Sequence, residues 1–206
     1  MQLSDDICGT NQRAAPVVDA DFVHFEGLRE LYMAGCRGVT DAAFVHLRGI
    51  HTLDMTGCSQ PAITNAAFAY LAGIQRLSLR RCLQRTITDA AFAHLRGIQL
   101  LNLSVCLQFT NAAFVHLRGI HTLYMWNCHQ PAITDAAFVN LRGIHTLVME
   151  CCDQATITGA AFPPLKGVSR LGMYGCSAAA IAAAQSLGLP VQTGNFLRGN
   201  LTYKFL

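Results

Sequence analysis

Gly49-Ile-His-Thr-Leu-Asp-Met-Thr-Gly-Cys58 is one copy of a phrase that recurs along this chain and closes each time on a cysteine. The intervals between closing cysteines are 22, 24, 24, 22, 24 and 24 residues, for Cys36, Cys58, Cys82, Cys106, Cys128, Cys152 and Cys176. Self-similarity at a period of about 20 to 50 residues is typical of repeat proteins, in which each repeat buries its apolar face only against its neighbours. The sequence therefore predicts one elongated repeat domain.

Each copy is expected to contain a strand, a turn and a short helix. Leu53 and Met55 alternate with polar residues, which is the period-2 signature of a half-buried strand. In the segment that follows, Thr64 can cap a helix N-terminus, and Ala67 and Leu71 have helical spacing. Similar starts occur at Thr40, Thr88, Thr110 and Thr134, each followed by Asp or Asn, where the helix dipole favours negative charge.

The helices are expected to end at a repeated cation-glycine pair. These pairs are Arg48-Gly49, Arg96-Gly97, Arg118-Gly119, Arg142-Gly143 and the variant Lys166-Gly167. A cation in the last turn and a glycine in the left-handed conformation are typical of helix C-termini. Such coils predict an α/β fold: a right-handed solenoid curved into a horseshoe, with a parallel β-sheet on the concave face and short helices on the convex face.

The phrase Leu-x-x-Leu-x-Leu-x-x-Cys, followed by Ile-Thr-Asp and a helix, resembles the cysteine-containing subclass of leucine-rich repeats over about Asp19 to Cys176. The resemblance implies that the Leu, Ile and Cys positions are structural and that the array is a protein-binding scaffold. The chain is also similar to the repeat region of F-box/LRR proteins, which implies an adaptor of ubiquitin-ligase type. Too few residues precede Asp19 for an F-box, so a partner would have to supply it.

We predict three segments along the chain. Residues 1–17 form an N-terminal cap segment, residues 18–176 form seven repeats, and residues 177–206 form a C-terminal cap made of a degenerate repeat helix and a tail. An alternative to recognition stays open at this point. The chain could be a structural, self-associating repeat protein that forms a homo-oligomer through its ends or through the tail Asn195–Leu206, which is rich in aromatic residues.

Composition and charge exclude several classes of protein. Charged residues make up 13% and apolar residues 52% of the chain, which excludes disorder, and no apolar run is long enough to span a membrane. No basic segment followed by an apolar one opens the chain, as a secretory signal would. A net charge of +3 is too weak to indicate a nucleic-acid or membrane partner. We therefore expect neither partner.

The cysteines are expected to be free thiols. Seven of the nine share one repeated position, and stacked positions about 4.8 Å apart exceed the roughly 3.5–4.5 Å between the Cβ atoms of a disulfide. Free thiols indicate a reducing compartment and a cytoplasmic location. Two glycosylation sequons, at Asn102 and Asn200, favour secretion instead, but the first falls inside a predicted strand.

Variation among the copies concentrates on two strand positions. One reads Tyr32, Asp54, Ser78, Asn102, Tyr124, Val148 and Gly172, and the other reads Ala34, Thr56, Arg80, Ser104, Trp126, Glu150 and Tyr174. The helix phrase Ala-Ala-Phe, by contrast, holds in six copies. Diversity on one solvent-facing, concave surface favours a binding site on a fixed scaffold, although harmless drift among the copies is an alternative.

We predict that a protein or peptide partner contacts this concave surface. One group of candidates, Arg76, Arg80 and Arg81 with Asp54, suits a carboxylate-bearing partner. A second group, Tyr124, Trp126, Glu150 and Tyr174, suits an apolar or aromatic anchor. Tyr32 and Asn102 complete the predicted surface.

Other residue rows do not predict catalysis, a metal or a cofactor. The histidines His46, His94, His116, His51, His121 and His145 lie in parallel rows that Tyr70, Gln75 and Asn140 interrupt, whereas a metal needs convergent ligands. Cys151 stands beside Glu150, which opposes thiolate formation. The basic row at the helix ends is explained by capping, with anion binding as the alternative. The glutamines Gln60, Gln84, Gln108, Gln130 and Gln154 are expected to form a stacked amide ladder. We predict a non-enzymatic protein.

Overall fold

Eight very short strands form one parallel sheet in the computed structural model, which describes residues 16–194. The strands are β1 (Glu30–Tyr32), β2 (Thr52–Asp54), β3 (Arg76–Ser78), β4 (Leu100–Asn102), β5 (Thr122–Tyr124), β6 (Thr146–Val148), β7 (Arg170–Gly172) and β8 (Val191–Gln192). Each pairs with the next in sequence, and the register of β1 to β7 follows the repeat, for example Leu31 opposite Leu53. The predicted repeat solenoid is confirmed.

The return side of each coil is helical, and mostly 3₁₀ in form. The α-helices are α1 (Asn65–Phe68), α2 (Asn111–Phe114), α3 (Asp135–Phe138) and α4 (Ala178–Ser186). The 3₁₀-helices are Asp19–Phe25, Asp41–Leu47, Ala69–Leu71, Asp89–His94, Val139–Leu141, Gly159–Ala161 and Pro163–Leu165. A 3₁₀-helix rises about 2.0 Å per residue against 1.5 Å for an α-helix, so it spans the return path with fewer residues.

The core is a stack of identical layers between sheet and helices. The central strand leucine is fully buried in every coil, at Leu31, Leu53, Leu77, Leu101, Leu123, Leu147 and Leu171. The helix phenylalanines are buried to the same extent, at Phe22, Phe44, Phe68, Phe92, Phe114, Phe138 and Phe162. Burying one such side chain contributes about 1.5–3 kcal/mol, so the stack is the main source of stability.

The predicted helix starts and ends are confirmed. Thr40, Thr64, Thr88, Thr110 and Thr134 each accept a hydrogen bond on the side-chain oxygen from the backbone N–H two residues on. At the other end, Gly49, Gly97, Gly119, Gly143 and Gly167 have φ between 80° and 92°. Glycine adopts this left-handed conformation without the steric penalty of a Cβ atom.

The first-turn carboxylates join one coil to the next. Asp41 Oδ1 accepts the backbone N–H of Thr64 at 2.7 Å, and Asp41 Oδ2 accepts the Thr64 hydroxyl at 2.6 Å. Three other pairs repeat this contact: Asp19 with Thr40, Asp89 with Thr110 and Asp135 with Thr158. Where the residue is Asn65 or Asn111, the amide donates to the next threonine hydroxyl instead. We name this row of contacts the Asp–Thr ladder.

The repeated cysteines also link coils. Each thiol donates to a backbone carbonyl oxygen of the preceding coil, at 2.9–3.2 Å, in the pairs Cys58–Met33, Cys82–Met55, Cys106–Leu79, Cys128–Leu103, Cys152–Met125 and Cys176–Met149. All six are free thiols. A small side chain with a weak donor suits this buried position.

The expectation of a free thiol is wrong at Cys36, which is disulfide-bonded. The distance between equivalent cysteines of neighbouring coils excludes a disulfide only within this row, and the six later cysteines of the row are indeed free. Cys36 is the first rung of the row and is fully buried.

Coil length varies in a single loop, between the repeated cysteine and the capping threonine. Five residues separate Cys82 from Thr88, whereas three separate Cys106 from Thr110. Phe109 in the shorter loop is buried and packs edge-on against Phe92, with ring centroids 4.8 Å apart. The larger side chain therefore fills space that the missing residues leave.

The C-terminal part of the described chain forms the predicted degenerate coil. Ser177 caps α4, Gly188 ends it with φ of 70°, and β8 adds to the sheet beside β7. A Cβ atom on Gly159 would stand 3.3 Å from Ala183 Cβ, so the helix approaches this coil closely. The predicted N-terminal cap lies mostly outside the described residues, and the tail Asn195–Leu206 lies wholly outside them.

We expect Asp41→Ala to lower the free energy of unfolding by about 1–2 kcal/mol, because two hydrogen bonds to the next coil are lost. Asp41→Asn is the matched control, since Asn65 and Asn111 occupy the same position in other coils, and it should lose less than half as much. Urea unfolding followed by circular dichroism measures both. Equal losses in the two variants would show that the contact to Thr64 is not the cause.

Candidate functional site

The concave face is more closely packed than the sequence suggested. Asp54 and Tyr124 retain only 7% and 5% exposure, and Asn102 and Glu150 are fully buried. The expectation that these four face solvent is wrong. Side chains on the same face of parallel strands lie about 4.8 Å apart, so each is covered by its neighbours in the adjacent coils.

The buried polar residues of this face shape the strand ends. Asp54 Oδ1 accepts the backbone N–H of Thr56 at 2.8 Å, and Asn102 Oδ1 accepts that of Ser104 at 2.9 Å. The Thr56 hydroxyl is 2.9 Å from that of Ser78. Burial raises the pKa of Asp54, although the hydrogen bonds from Thr56 oppose the rise. These residues support the surface from beneath and are not its contact points.

Six predicted residues reach solvent, and one of them, Arg81, lies in a turn after its strand. Tyr174 is 44% exposed and Arg76 is exposed, while Tyr32, Arg80 and Trp126 are half-buried. The Trp126 backbone N–H donates to Ser104 Oγ at 3.2 Å, which ties the turn of its coil to the one before. The Tyr32 hydroxyl donates to Glu30 at 3.2 Å, and burial and this carboxylate raise its pKa.

Arg80, Trp126 and Tyr174 occupy one row of the concave face, each two coils from the next. Trp126 and Tyr174 stand at the same position two coils apart, which is about 10 Å at the usual strand spacing. Between them, the Glu150 carboxylate oxygen lies 3.6 Å from where a Cβ atom of Gly172 would be, so the glycine leaves room for it. The exposed aromatics can therefore flank one partner side chain.

Arg80 and Arg81 lie close together but occupy different surroundings. Burial and the neighbouring Arg81 lower the pKa of Arg80, whereas Asp54 raises it. Arg81 is exposed in the turn after β3, with φ of 58°. It therefore lies beyond the C-terminal end of β3, outside the concave face on which we predicted it.

The helix-side histidine row is built of contacts between coils. His46 Nδ1 is 2.6 Å from the Glu26 carboxylate of the preceding coil. At the equivalent places, Arg48 lies over the Tyr70 ring at 5.1 Å, and Arg118 Nε donates to Asn140 at 3.2 Å. Tyr70 and Asn140, which interrupt the histidine row, each contact an arginine of the preceding coil. Within residues 16–194, no three His, Cys, Asp or Glu side chains converge as a metal site needs.

The glutamine row differs from the predicted amide ladder. Four of its side chains donate to backbone carbonyl oxygens of the preceding coil, at 2.8–3.2 Å: Gln60 to Val39, Gln108 to Cys82, Gln130 to Cys106 and Gln154 to Cys128. Gln84 is buried, and neither side-chain amide atom has a partner in the described part of the chain. The row closes the turns by contacts to backbone instead of contacts between amides.

Sequence reasoning missed two exposed leucines in the loops that follow the C-terminal ends of β3 and β4. Leu83 and Leu107 are 55% and 43% exposed. They follow the repeated cysteine, a position that is polar in the other coils, as Arg37, Ser59, His129, Asp153 and Ser177. The row of polar residues was the signal that could have revealed them.

The six free cysteines of the repeated row are suited to structure and not to nucleophilic chemistry. Burial raises the pKa of Cys58 and Cys128 to about 12 and that of Cys176 to about 11. Burial raises the pKa of Cys82, Cys106 and Cys152 as well. A thiol with a raised pKa stays protonated at neutral pH and reacts slowly.

Comparisons with known proteins show the fold of the chain and no closer relationship. No protein-family model and no curated protein matches the sequence. Among solved structures, the chain is similar to TLR13 in a complex with ssRNA13, at 19% identity and a TM-score of 0.63 over 78% of this chain and 24% of that one. It is also similar to the Drosophila Toll–Spatzle complex, at 10% identity and a TM-score of 0.58 over 76% and 25% of the two chains. The yeast Rad7–Elc1 complex gives 20% identity and a TM-score of 0.50 over 68% and 39%.

These comparisons correct one sequence-based expectation. The chain spans about a quarter of the length of the first two proteins, so their whole activities do not transfer to it. The exclusion of a nucleic-acid partner, however, is wrong as an inference from the small net charge, since a structure of this fold is a complex with single-stranded RNA. Separately, none of the helices in residues 16–194 has the length and apolar character needed to cross a bilayer.

We expect stability to fall steeply above about pH 9. Folding raises the pKa of six thiols above the ordinary value of a cysteine, so in this range the unfolded chain releases protons that the folded chain keeps. Each such thiol lowers the free energy of unfolding by about 1.4 kcal/mol per pH unit. Cys106→Ala should therefore reduce the slope between about pH 10 and 11 by roughly this amount.

Urea titrations at several pH values measure the slope. Val148→Ala is the control, because it removes buried volume but no ionisable group and should lower stability without changing the slope. An unchanged slope in Cys106→Ala would contradict the assignment of the alkaline loss to these thiols.

Proposed function

We propose that this chain, which has the leucine-rich-repeat fold, is a non-catalytic scaffold that binds a protein or peptide on its concave face. The observation that supports this most directly is the distribution of variation. Strand positions differ from coil to coil, whereas the helix phrase Ala-Ala-Phe is kept in six coils. A scaffold without a partner has no need of exposed aromatic residues on one face, where they promote aggregation.

Trp126 and Tyr174 are the proposed anchors of the partner. Both present aromatic surface to solvent, and Trp and Tyr are among the residues that most often dominate interface energies. Arg76 and Arg80 would add charge-assisted contacts to a carboxylate, with Tyr32 at the margin. The buried residues Asp54, Asn102, Tyr124 and Glu150 would hold these contact residues in place.

The similar structures favour a macromolecular partner. Two of the three are complexes with a protein, Spatzle for Toll and Elc1 for Rad7, and the third is a complex with single-stranded RNA. A short aromatic pair with separate arginines suits a peptide better than the continuous basic groove that tracks a nucleic-acid backbone. A protein partner is therefore our proposal, and RNA is an outcome that the experiment distinguishes.

Two finer proposals rest on the resemblance in sequence. The similarity to the repeats of F-box/LRR proteins supports an adaptor role of ubiquitin-ligase type. The six free thiols of the repeated row favour the cytoplasm, whereas the disulfide of Cys36 favours an oxidising compartment. We give more weight to the row, because six of its seven members are reduced.

We expect Trp126→Ala/Tyr174→Ala to lose at least nine-tenths of the protein that the wild-type chain captures from lysate of its source cells. The reason is that both proposed anchors are removed. Val115→Ala/Val139→Ala is the matched control, since both valines are 48% exposed on the helix side, and it should capture as much as wild type. Quantitative mass spectrometry measures recovery, and circular dichroism checks that all three chains fold.

A second capture is carried out after ribonuclease treatment. Recovery that persists supports a protein partner, whereas recovery that disappears would assign the face to RNA. Equal recovery by the concave and helix-side variants would overturn the proposal for the concave face.

A further inference from the structure

A second surface lies beyond the C-terminal ends of the strands, where the loops after the repeated cysteines form a row. Leu83 and Leu107 occupy neighbouring coils and are the only apolar residues of their row from Arg37 to Ser177. Both are exposed, at 55% and 43%. An adjacent pair of exposed leucines in an otherwise polar row is a candidate for contact with a partner.

Loop length turns this pair into a groove. The loop after Cys82 has five residues before its capping threonine, and the loop after Cys106 has three. The first loop is therefore longer than its neighbour in the next coil. An open cavity of about 520 Å³ lies between these two loops, lined by Leu83, Arg85, Thr88, Leu107 and Gln108. We name it the loop notch. Its volume is within the range of about 300–1,000 Å³ that is usual for binding pockets.

The polar groups of the loop notch leave it positively charged. The Thr88 hydroxyl and the Gln108 amide nitrogen already bond within the protein, to Asn65 and to the Cys82 carbonyl oxygen. Arg85, which lines the notch, is exposed, and Arg81 is exposed in the turn before it. Neither forms an ion pair with an acidic residue of the described chain, residues 16–194. The surface therefore combines an apolar floor with a cationic rim.

We propose that the loop notch binds an acidic peptide segment that carries a leucine-sized apolar side chain. The apolar side chain would pack against Leu83 and Leu107, and a neighbouring carboxylate would pair with Arg85 or Arg81. Charge complementarity selects this occupant. The tail Asn195–Leu206 carries Arg198 and Lys204 and no Asp or Glu, so its charge opposes binding there.

The loop notch is separate from the concave face proposed above. It lies beyond the strand ends on coils three and four, whereas Trp126 and Tyr174 project from coils five and seven. The two surfaces can therefore be tested independently, since neither anchor lines the notch.

The test selects a ligand and then locates it. A phage library of random dodecapeptides is selected on the wild-type chain, with counter-selection on Leu83→Ser/Leu107→Ser. Serine is the natural residue at this position in Ser59 and Ser177, so the variant should fold. We expect enriched peptides that combine Asp or Glu with Leu, Ile or Phe. No enrichment, or enriched peptides without acidic residues, would overturn the proposal.

The most enriched peptide is then synthesised with a fluorescent label, and its Kd is measured by polarisation. We expect binding to weaken at least tenfold in Leu83→Ser/Leu107→Ser and in Arg85→Ala, which places an alanine where the equivalent coil has Ala155. Trp126→Ala should change Kd less than twofold. Loss of binding in Trp126→Ala alone would place the peptide on the concave face and overturn the assignment to the notch.

Two further measurements exclude other occupants. Photo-cross-linking of the labelled peptide to the wild-type chain should modify residues 83–88 or 107–109, and modification elsewhere would contradict the site without relying on any variant. Labelled oligouridine that binds wild type and not Arg85→Ala, with no peptide selected, would assign the notch to RNA. A wild-type dimer in light scattering that becomes a monomer in Leu83→Ser/Leu107→Ser would assign it to a second copy of the chain.

Discussion

Backbone pairing between successive strands sets the spacing to which every other contact in this protein conforms. Because β1 to β7 pair in one constant register, equivalent residues of all coils stand in rows. A residue that can bond to its neighbour one coil away is then useful once per coil. The thiols reach carbonyl oxygens in this way, the glutamines do the same, and the Asp–Thr ladder joins the helix starts. The same residues thus recur in the sequence because each makes the same contact with the neighbouring coil.

The fold could be predicted from the sequence because its signals are local and are repeated. Alternation around Leu53, the capping position of Thr64 and the glycine at Gly49 each indicate one feature, and seven copies remove ambiguity. The candidate site could be predicted only in part. Strand alternation tells which face a side chain is on, but not how far its neighbours cover it, so Asn102 and Glu150 are buried on the predicted face. The disulfide of Cys36 also escaped prediction, because row spacing constrains only bonds between rungs.

Contacts between coils explain several residues that looked functional in the sequence. The pairs Glu26–His46, Arg48–Tyr70 and Arg118–Asn140 join equivalent positions of neighbouring coils. The first is a contact between a carboxylate and an imidazole, the second a cation–π contact and the third a hydrogen bond. Residues that vary together to keep such a contact belong to the scaffold. Residues that vary without one, such as Trp126 on the concave face and Leu83 in the loop after β3, are the better candidates for recognition. The scaffold contacts thus separate structural variation from variation that concerns a partner.

The Asp–Thr ladder has a defined last rung. Asp135 bonds to Thr158, and the next first-turn residue is Gly159, which has no side chain to offer and instead lets Ala183 approach. A coil duplicated during evolution and inserted upstream of this glycine would find a complementary partner on both sides. The same coil inserted after it would meet a neighbour without a carboxylate or amide to bond to. A further coil of this type is therefore accommodated within the ladder more readily than beyond its last contact.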